Sequence, residues 1–360
     1  MPVAHEWSKT TVEFYQIDPT QDPRWSELVN RHSRASVFHT ATWLQALQHT
    51  YRYQPVAFTT SPPASELKNG LVGCEIDSWV TGRRLVSLPF SDHCEPLFDS
   101  SAELLFMIRS LQANLTRQKW KYLEVRPIDW NLGQLDDSTG FSTAARYFLH
   151  RLNLQGEVET VFGKLDKDSL QRRIHHAERA GLVEKCSSSE ELLAQFYRLF
   201  VVTRSRHQVP PMPYVWFQNL IRTQKEFLKI RVAYSAEKPV ASILTLRFRD
   251  VLYYKYGCSD ARFNSLGAMP WLLWKAALDA KLSGAREFDL GRTEENNPGL
   301  LTFKNHWDPQ PLRLAYWKFP YTPSFDSINS WKLKLAKRVF SHMPGGMLTL
   351  TGKIIYRHIG

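Results

Sequence analysis

Residues 288–307 read FDLGRTEENNPGLLTFKNHW and are the most informative stretch of the chain. An apolar strand is predicted to end at Gly291 and Arg292, a polar turn follows, and Lys304 leaves that turn beside Trp307. The end of a strand is a usual place for ligand-facing residues in α/β sheets. Arg292 and Lys304 are therefore predicted to hold an anionic or carbonyl-bearing group. The alternatives are a salt bridge from Arg292 to a neighbouring acid and a surface lysine whose stem covers the aromatic rings.

Upstream of this stretch, the two halves of the chain have a similar order of predicted elements. In the first half these are strands over Thr11–Ile17, Pro55–Thr60, Gly70–Ile76, Arg84–Phe90, Lys121–Arg126 and Tyr147–Leu154, with helices starting at Thr40 and running over about Ala102–Lys119. In the second half they are helices over Asp168–Ala180, Glu190–Arg206, Tyr214–Thr223 and Ala268–Ser283, with strands over Leu228–Ser235, Val240–Phe248, Val251–Cys258 and Glu287–Leu290. The order predicts an α/β (α+β) fold of two tandem units with mixed, largely antiparallel sheets. One larger α/β domain is the alternative.

The size and composition fit two globular domains. The chain has 360 residues, of which 43% are hydrophobic and 13% aromatic. We predict an N-terminal domain over residues 1–160, a second domain over 161–320 and a basic extension over 321–360. Trp331–Phe340 in that extension is basic and amphipathic, which is typical of a packed C-terminal helix or of a segment that lies on an anionic membrane.

The charge and the cysteines narrow the class of protein. A formal net charge of +11 favours an anionic partner, such as tRNA, a nucleotide-linked precursor or an acidic membrane, and the alternative is a generally basic proteome. The four cysteines have no CxxC spacing, so neither a metal site nor a disulfide framework is predicted. No stretch has the length and apolarity of a signal peptide or a membrane span. We expect a cytoplasmic protein that works either free in the cytoplasm or at the inner face of the cell membrane.

Three further groups of residues are candidates for chemistry. Arg204 and His207 end a predicted helix in a proline-rich loop, where they form either an anion site or a favourable helix terminus. Asp92 and His93 follow a predicted strand and are candidates for binding an acceptor. Tyr256 lies on a strand where period-two alternation predicts Tyr254 and Tyr256 on one face and Lys255 on the other. A tyrosine hydroxyl there either orients a substrate or packs in the core.

Taken together, these motifs resemble the Fem family of peptidoglycan bridge-forming aminoacyltransferases and its FemAB-like, GNAT-related relatives. The matching segments are Phe38–Trp43, Arg173–Leu182, Thr203–His207, Tyr254–Asp260 and Phe288–Trp307. The resemblance covers roughly residues 30–320. It implies two tandem GNAT-like domains and transfer of an acyl or aminoacyl group to an amine of a cell-envelope precursor, either of peptidoglycan or of an exopolysaccharide.

The resemblance also implies roles for individual residues. The implied catalytic residues are Lys304, Tyr256 and Arg292, and the implied substrate-binding residues are Arg204, His207, Asp92, His93, Trp43 and Asp289. The mechanism would be direct aminolysis of an acyl-CoA or aminoacyl-tRNA co-substrate, with no metal and no tightly bound cofactor. The other partner would be an anionic small molecule or a lipid-linked glycan precursor, and no DNA is expected.

The sequence departs from the family at the donor site. The coiled-coil arm that often accompanies a tRNA donor has no room between Arg222 and Leu228. The turn that contains Asn264 and Gly267 stands where related enzymes bind the coenzyme A pyrophosphate, but it is poor in glycine. Asp308 replaces the usual glycine after the last motif. The donor therefore stays open, and the alternative function is a non-catalytic protein that docks a nucleotide-sugar or an anionic membrane.

Overall fold

The computed structural model describes residues 13–128, 139–321, 352 and 355–358. The start of the first predicted strand and most of the predicted C-terminal extension, including Trp331–Phe340, lie outside the described residues. The strands are β1 (Tyr15–Ile17), β2 (Gln54–Thr59), β3 (Leu71–Ile76), β4 (Arg84–Val86), β5 (Leu123–Val125), β6 (Ser142–Asn153), β7 (Val183–Ser187), β8 (Leu228–Ser235), β9 (Lys238–Phe248), β10 (Val251–Ser259), β11 (Glu287–Glu294) and β12 (Gln310–Phe319). The α-helices are α1 (Pro23–Arg31), α2 (Ala41–Tyr51), α3 (Ser101–Asn114), α4 (Val158–Gly163), α5 (Arg172–Arg179), α6 (Glu190–Arg206), α7 (Tyr214–Gln224), α8 (Ala268–Leu282) and α9 (Pro298–Asn305). Among these described helices, none has the length and apolarity that a membrane span requires.

Most predicted elements are confirmed, and the differences matter for the site. The helix α6 and the strand β8 have the predicted bounds, and Thr40 caps α2 by accepting from the Trp43 amide. The elements that the sequence analysis missed include β7, α9 and β12. The predicted turn before Lys304 is in fact the helix α9, which begins at Pro298 and is capped by the Asn297 side chain. Proline and an asparagine cap are ordinary signals of a helix start.

The described strands form a single sheet in the order β1-β2-β3-β4-β5-β12-β6-β11-β10-β9-β8-β7. Among the described pairs, β4–β5 and β10–β11 are parallel and the others are antiparallel. Each half thus has an antiparallel meander whose last strand pairs in parallel with the strand that follows a crossover helix, which is α3 in the first half and α8 in the second. The predicted mixed, largely antiparallel architecture is confirmed.

The two halves exchange strands at the centre of the sheet. The strand β12, from the second half, pairs with β5 of the first half, and β6, from the first half, pairs with β11 of the second. β6 and β12 also pair with each other from Gln310–Arg151 to Lys318–Ser142. The sheet therefore crosses the predicted boundary at residue 160 without a break, and that boundary stays a prediction.

One hydrophobic cluster joins the halves on one face of the sheet. It contains Trp25, Trp43 and Leu47 of the first half and Phe196 and Trp216 of the second, all fully buried. The opposite face has separate clusters, one under α3 and one under α5 and α8. Because burial of apolar surface is the main stabilising term in folding, the shared cluster couples the halves.

Candidate functional site at the junction of the two halves

The strands β10 and β11 separate partway along their length. They are paired only from Val251–Glu287 to Tyr253–Asp289, although both continue for several residues beyond. Past this point β10 stays paired with β9, and β11 stays paired with β6. The β9–β10 ladder and the β6–β11 ladder each contain a bulge. A gap therefore opens between two parallel strands at their carboxyl ends, which is where α/β sheets commonly bind ligands.

Gly291 shapes the β11 side of the gap. Its φ of +75° is in the left-handed region that favours glycine, and its amide donates to the Asp289 Oδ1 at 2.7 Å. A Cβ on Gly291 would lie 3.5 Å from Asp92 Oδ2 and 3.6 Å from the Tyr254 carbonyl oxygen. Asp92 of the first half therefore reaches into the gap between the strands of the second half.

Asp92 forms an ion pair there with Lys255. The Lys255 Nζ lies 2.9 Å from Asp92 Oδ2, and Arg292 Nε lies 3.7 Å from Asp92 Oδ1. The Lys255 ammonium also lies 5.2 Å from the Phe38 ring and 5.9 Å from the Trp43 ring. Burial lowers the pKa of Lys255, and Asp92 opposes that shift.

The predicted alternation along β10 is wrong. Tyr254 packs with the cluster under α8, whereas Tyr256 packs with the cluster that joins the halves. Lys255 lies 5.7 Å from the Tyr256 ring, on the same side as that ring. The reason is the bulge between Tyr254 and Tyr256, which inserts Lys255 as an unpaired residue and breaks the period of two.

Arg292 lies against the rings of two tyrosines that also contact each other. Its guanidinium carbon lies 4.4 Å from the Tyr147 ring and 5.0 Å from the Tyr316 ring, and its Nη1 donates to the Tyr316 hydroxyl at 2.6 Å. Tyr316 in turn donates to the Asp92 carbonyl at 2.7 Å. Burial raises the pKa of Tyr316 to about 12. With 34% of its side chain exposed, Arg292 is a fixed cation that solvent still reaches.

Lys304 lies behind Arg292, in the last turn of α9. It is buried, and its Nζ donates to the carbonyl oxygens of Gly291 at 2.8 Å and Arg292 at 2.9 Å. Burial lowers its pKa to about 8, although Asp92 and Asp289 act in the opposite direction. Lys304 therefore supports the backbone of the bulge that carries Arg292.

Asp289 is held by two side chains, His93 and Arg151, that line a neighbouring cleft. His93 Nε2 lies 3.4 Å from Asp289 Oδ2, and Arg151 Nε lies 3.3 Å from the same oxygen. Burial lowers the pKa of His93, which favours the neutral imidazole. Burial alone would raise the pKa of Asp289, but His93 and Arg151 outweigh it, and the pKa is lowered.

The cleft has a volume of about 500 Å³ and lies between the halves. Its lining includes both signs of charge, from Arg34, Glu95, Arg151, Arg249, Asp250 and Glu287, with His93 and Tyr253. This size is within the range of small-molecule sites.

Other predicted site residues lie in the core or elsewhere. Trp43 is fully buried and packs edge-on against Trp216, whose Nε1 donates to the Tyr256 hydroxyl at 2.9 Å. Arg204 donates to the Tyr356 hydroxyl at 3.0 Å and stacks on Phe200. Arg204 is therefore engaged by two other side chains of this chain.

His207 is exposed at the end of α6. Asn264 lies in a short 3-10 helix, and Gly267 follows it with a φ of +73°. A Cβ on Gly267 would clash with the Arg173 carbonyl oxygen, so this glycine is required where the turn packs against α5. Asp308 has a φ of +50°, which explains why glycine suits that position and why aspartate is tolerated.

Sequence reasoning assigned no role to Lys255, Tyr316, Tyr147 or Arg151. Tyr316 was missed because β12 was not predicted, although Leu312–Phe319 is rich in the aliphatic and aromatic residues that are typical of strands. No sequence signal marks the partnership of Lys255 with Asp92, because the two residues are far apart in the chain and a bulge sets the direction of Lys255.

Comparison with known families identifies part of the chain. Residues 166–305 match the family model described as an acetyltransferase (GNAT) domain. The second half of this chain carries a GNAT domain. No curated protein sequence matches the chain.

Solved structures with similar folds cover almost the whole chain. FemX has a TM-score of 0.66 at 12% sequence identity and covers 88% of this chain and 99% of its own. L-PGS from Bacillus licheniformis has a TM-score of 0.57 at 13% identity, with coverages of 89% and 98%. A tandem GNAT protein from the clavulanic acid biosynthesis pathway has a TM-score of 0.52 at 9% identity, with coverages of 85% and 97%. The predicted FemAB-like, GNAT-related resemblance is confirmed by the GNAT domain and by this fold.

Proposed function

We propose that this protein is a FemAB-like N-acyltransferase that transfers an acyl or aminoacyl group to an amine of a bacterial cell-envelope precursor. The observation that carries the proposal is the gap between β10 and β11, where Lys255 and Arg292 of the GNAT domain meet Asp92 of the first half. The resemblance to Fem enzymes and the shared fold with FemX and L-PGS support the choice of substrate class.

The reaction is direct aminolysis. The acceptor nitrogen attacks the donor carbonyl carbon, a C–N bond forms, and the C–O or C–S bond to the leaving group breaks. Negative charge develops on the carbonyl oxygen, and a preorganised cation lowers the barrier by stabilising it. Arg292 suits this role because two tyrosine rings and the Tyr316 hydroxyl hold its guanidinium in place while 34% of its side chain stays exposed.

Lys304 acts as a positioning residue in this proposal. Its ammonium is directed at the carbonyl oxygens of Gly291 and Arg292, so it holds the bulge that aims Arg292. Tyr256 similarly supports Lys255 from the core side, because its hydroxyl is held by Trp216.

The acceptor amine is assigned to the gap, at the exposed side of Arg292. Asp289 accepts from the Gly291 amide and lies beside His93, so these two buried residues hold the bulge behind the reacting groups. The amine loses its proton as the C–N bond forms, and that proton passes to the leaving group, which balances the reaction.

The donor is assigned to the side of the turn that contains Asn264 and Gly267, at the start of α8. Acyl-CoA and aminoacyl-tRNA are both retained as donor classes. Thermal unfolding of the purified protein with acetyl-CoA and, separately, with charged tRNA distinguishes them, because a ligand that binds only the folded state raises its stability.

The transfer test uses the donor that stabilises the protein, with a nucleotide-linked peptidoglycan precursor or an amino sugar as acceptor. Because Arg292 is proposed to stabilise the developing oxyanion, Arg292→Ala is expected to lower kcat/KM by about 100-fold or more. The control is Arg206→Ala, at an exposed arginine of α6, which should keep full activity. Full activity of folded Arg292→Ala would contradict the proposal, and the absence of a shift with either donor would favour the non-catalytic binding protein.

A further inference from the structure

The loop between β3 and β4, residues 77–83, holds two large apolar side chains in solvent, and we name it the β3–β4 tip. Trp79 is 87% exposed and Val80 is 58% exposed. Within the described part of the chain, no other large hydrophobic side chain is as exposed as Trp79. Exposed apolar groups gain free energy when they leave water, so this pair favours a partner.

The tip is held in shape by hydrogen bonds. The Gly82 amide donates to the Ser78 carbonyl at 2.7 Å, and the Val80 and Thr81 amides donate to Ser78 Oγ at 3.2 and 3.1 Å. These contacts fix the backbone while the two apolar side chains point away from the core. The exposure of Trp79 is therefore a property of the folded loop.

The C-terminal helical turn, residues 355–358, supports the tip from one side. Thr81 Oγ1 donates to the His358 carbonyl at 3.0 Å, and Ser78 Oγ lies 2.9 Å from His358 Nδ1. The His358 ring meets the Trp79 ring edge-on at 5.5 Å. The turn thus braces Trp79 without covering it.

Basic residues adjoin the tip, since the Lys121 amide donates to the Arg83 carbonyl at 2.7 Å and Arg357 belongs to the turn that braces Trp79. Lys119, Lys121 and Arg357 are exposed, and the Lys121 stem lies 3.3 Å from the position that a Cβ on Gly82 would take. The acids of this part of the chain are Glu75, which is paired with Arg83 at 2.6 Å, and Asp77. The surface around the apolar pair is therefore net positive.

We propose that the β3–β4 tip docks this protein onto an anionic lipid bilayer. Trp79 and Val80 enter the interface, where tryptophan is favoured, and the surrounding lysines and arginine lie against the lipid phosphates. A stable protein interface needs a broad patch, whereas two side chains on a narrow tip offer too little area for one. A bilayer accepts such a tip because it adapts to its shape.

The test is sedimentation of the full-length protein with vesicles of phosphatidylglycerol and phosphatidylethanolamine, and with vesicles of phosphatidylcholine alone. We expect binding to the anionic vesicles that weakens as salt rises, and little binding to phosphatidylcholine. Trp79→Ser/Val80→Ser should bind anionic vesicles about ten-fold more weakly or worse, because it removes the apolar area that enters the interface. Lys119→Glu/Lys121→Glu should weaken binding and flatten its salt dependence.

The matched control is Leu282→Ser, which removes an apolar side chain that is 71% exposed in the second half and should leave binding unchanged. Trp79→Phe is a second variant, because it keeps an aromatic ring against His358 and should retain part of the binding. Equal binding by the native protein and Trp79→Ser/Val80→Ser would overturn the proposal. The proposal would also be overturned if the native protein did not bind anionic vesicles. It would equally be overturned if sedimentation velocity showed that Trp79→Ser/Val80→Ser loses self-association and has no other effect. The assay contains no acyl donor, so its failure leaves the proposed transferase activity untouched.

Discussion

The Lys255 ammonium lies 2.9 Å from Asp92 Oδ2, so one ion pair joins a strand of the GNAT domain to a loop of the first half. Lys255 is almost fully buried and Asp92 is largely buried. Removal of one partner therefore leaves the other charge without compensation in a poorly solvated place.

Asp92→Asn is expected to lower the free energy of unfolding by about 3 kcal/mol, since breaking a buried ion pair costs that order of energy. Denaturant unfolding measures the change. The control is Asp168→Asn, which breaks an exposed pair with Arg172 at 2.8 Å and should have little effect. A double change of Asp92→Leu and Lys255→Met should recover part of the loss; equal effects of Asp92→Asn and Asp168→Asn would contradict the buried-pair interpretation.

Gly267→Ala should destabilise the protein more than Gly181→Ala. Both glycines have similar φ values, +73° and +66°. The backbone strain of about 1 kcal/mol is therefore common to both. A Cβ on Gly267 would clash with the Arg173 carbonyl oxygen, whereas a Cβ on Gly181 meets nothing within 4 Å. Thermal unfolding of the two variants measures the difference, and equal melting temperatures would show that the turn moves freely.

Lys304 predicts a pH dependence of stability. Its pKa is about 8 in the folded protein and 10.5 ordinarily, so the unfolded chain binds more protons between these values. Burial of the charged form therefore destabilises the fold below pH 8, and this cost is relieved as the pH rises toward 10.5, by a total on the order of 3 kcal/mol. Between neutral pH and pH 10.5, the unfolding free energy of the native protein should rise relative to that of Lys304→Met. Parallel curves for the two proteins would argue against the lowered pKa.

Tyr356→Phe tests whether Arg204 has a structural role. The Tyr356 hydroxyl accepts from Arg204 at 3.0 Å and donates to the Pro210 carbonyl at 3.0 Å. Its removal should cost about 1–2 kcal/mol, because it leaves buried polar groups without partners. The control is Tyr15→Phe, which removes an exposed hydroxyl bonded to Glu13. An unchanged melting temperature for Tyr356→Phe would return Arg204 to the candidates for ligand binding.

Much of the local structure can be predicted because its signals are local. The apolar spacing of α6, the turns of the β8–β9–β10 meander and the cap at Thr40 each depend on residues close in sequence. The strand β12 and the helix α9 were not predicted because each begins with a polar residue and a proline, which are also typical of a turn. Alternation of residues places the Lys255 side chain on the wrong face because a bulge leaves no mark in that pattern.

The sequence by itself determined the order of most elements, the mixed, largely antiparallel sheet and the strand that leads into Gly291 and Arg292. Tertiary structure alone decided that β6 pairs with a strand of the second half and β12 with a strand of the first half. It also decided that Asp92 enters the gap beside Lys255 and that Lys304 donates to backbone carbonyls. The physical reason is that strand register and ion pairing over long separations depend on how whole faces pack, whereas helices, turns and caps depend on neighbours in the chain.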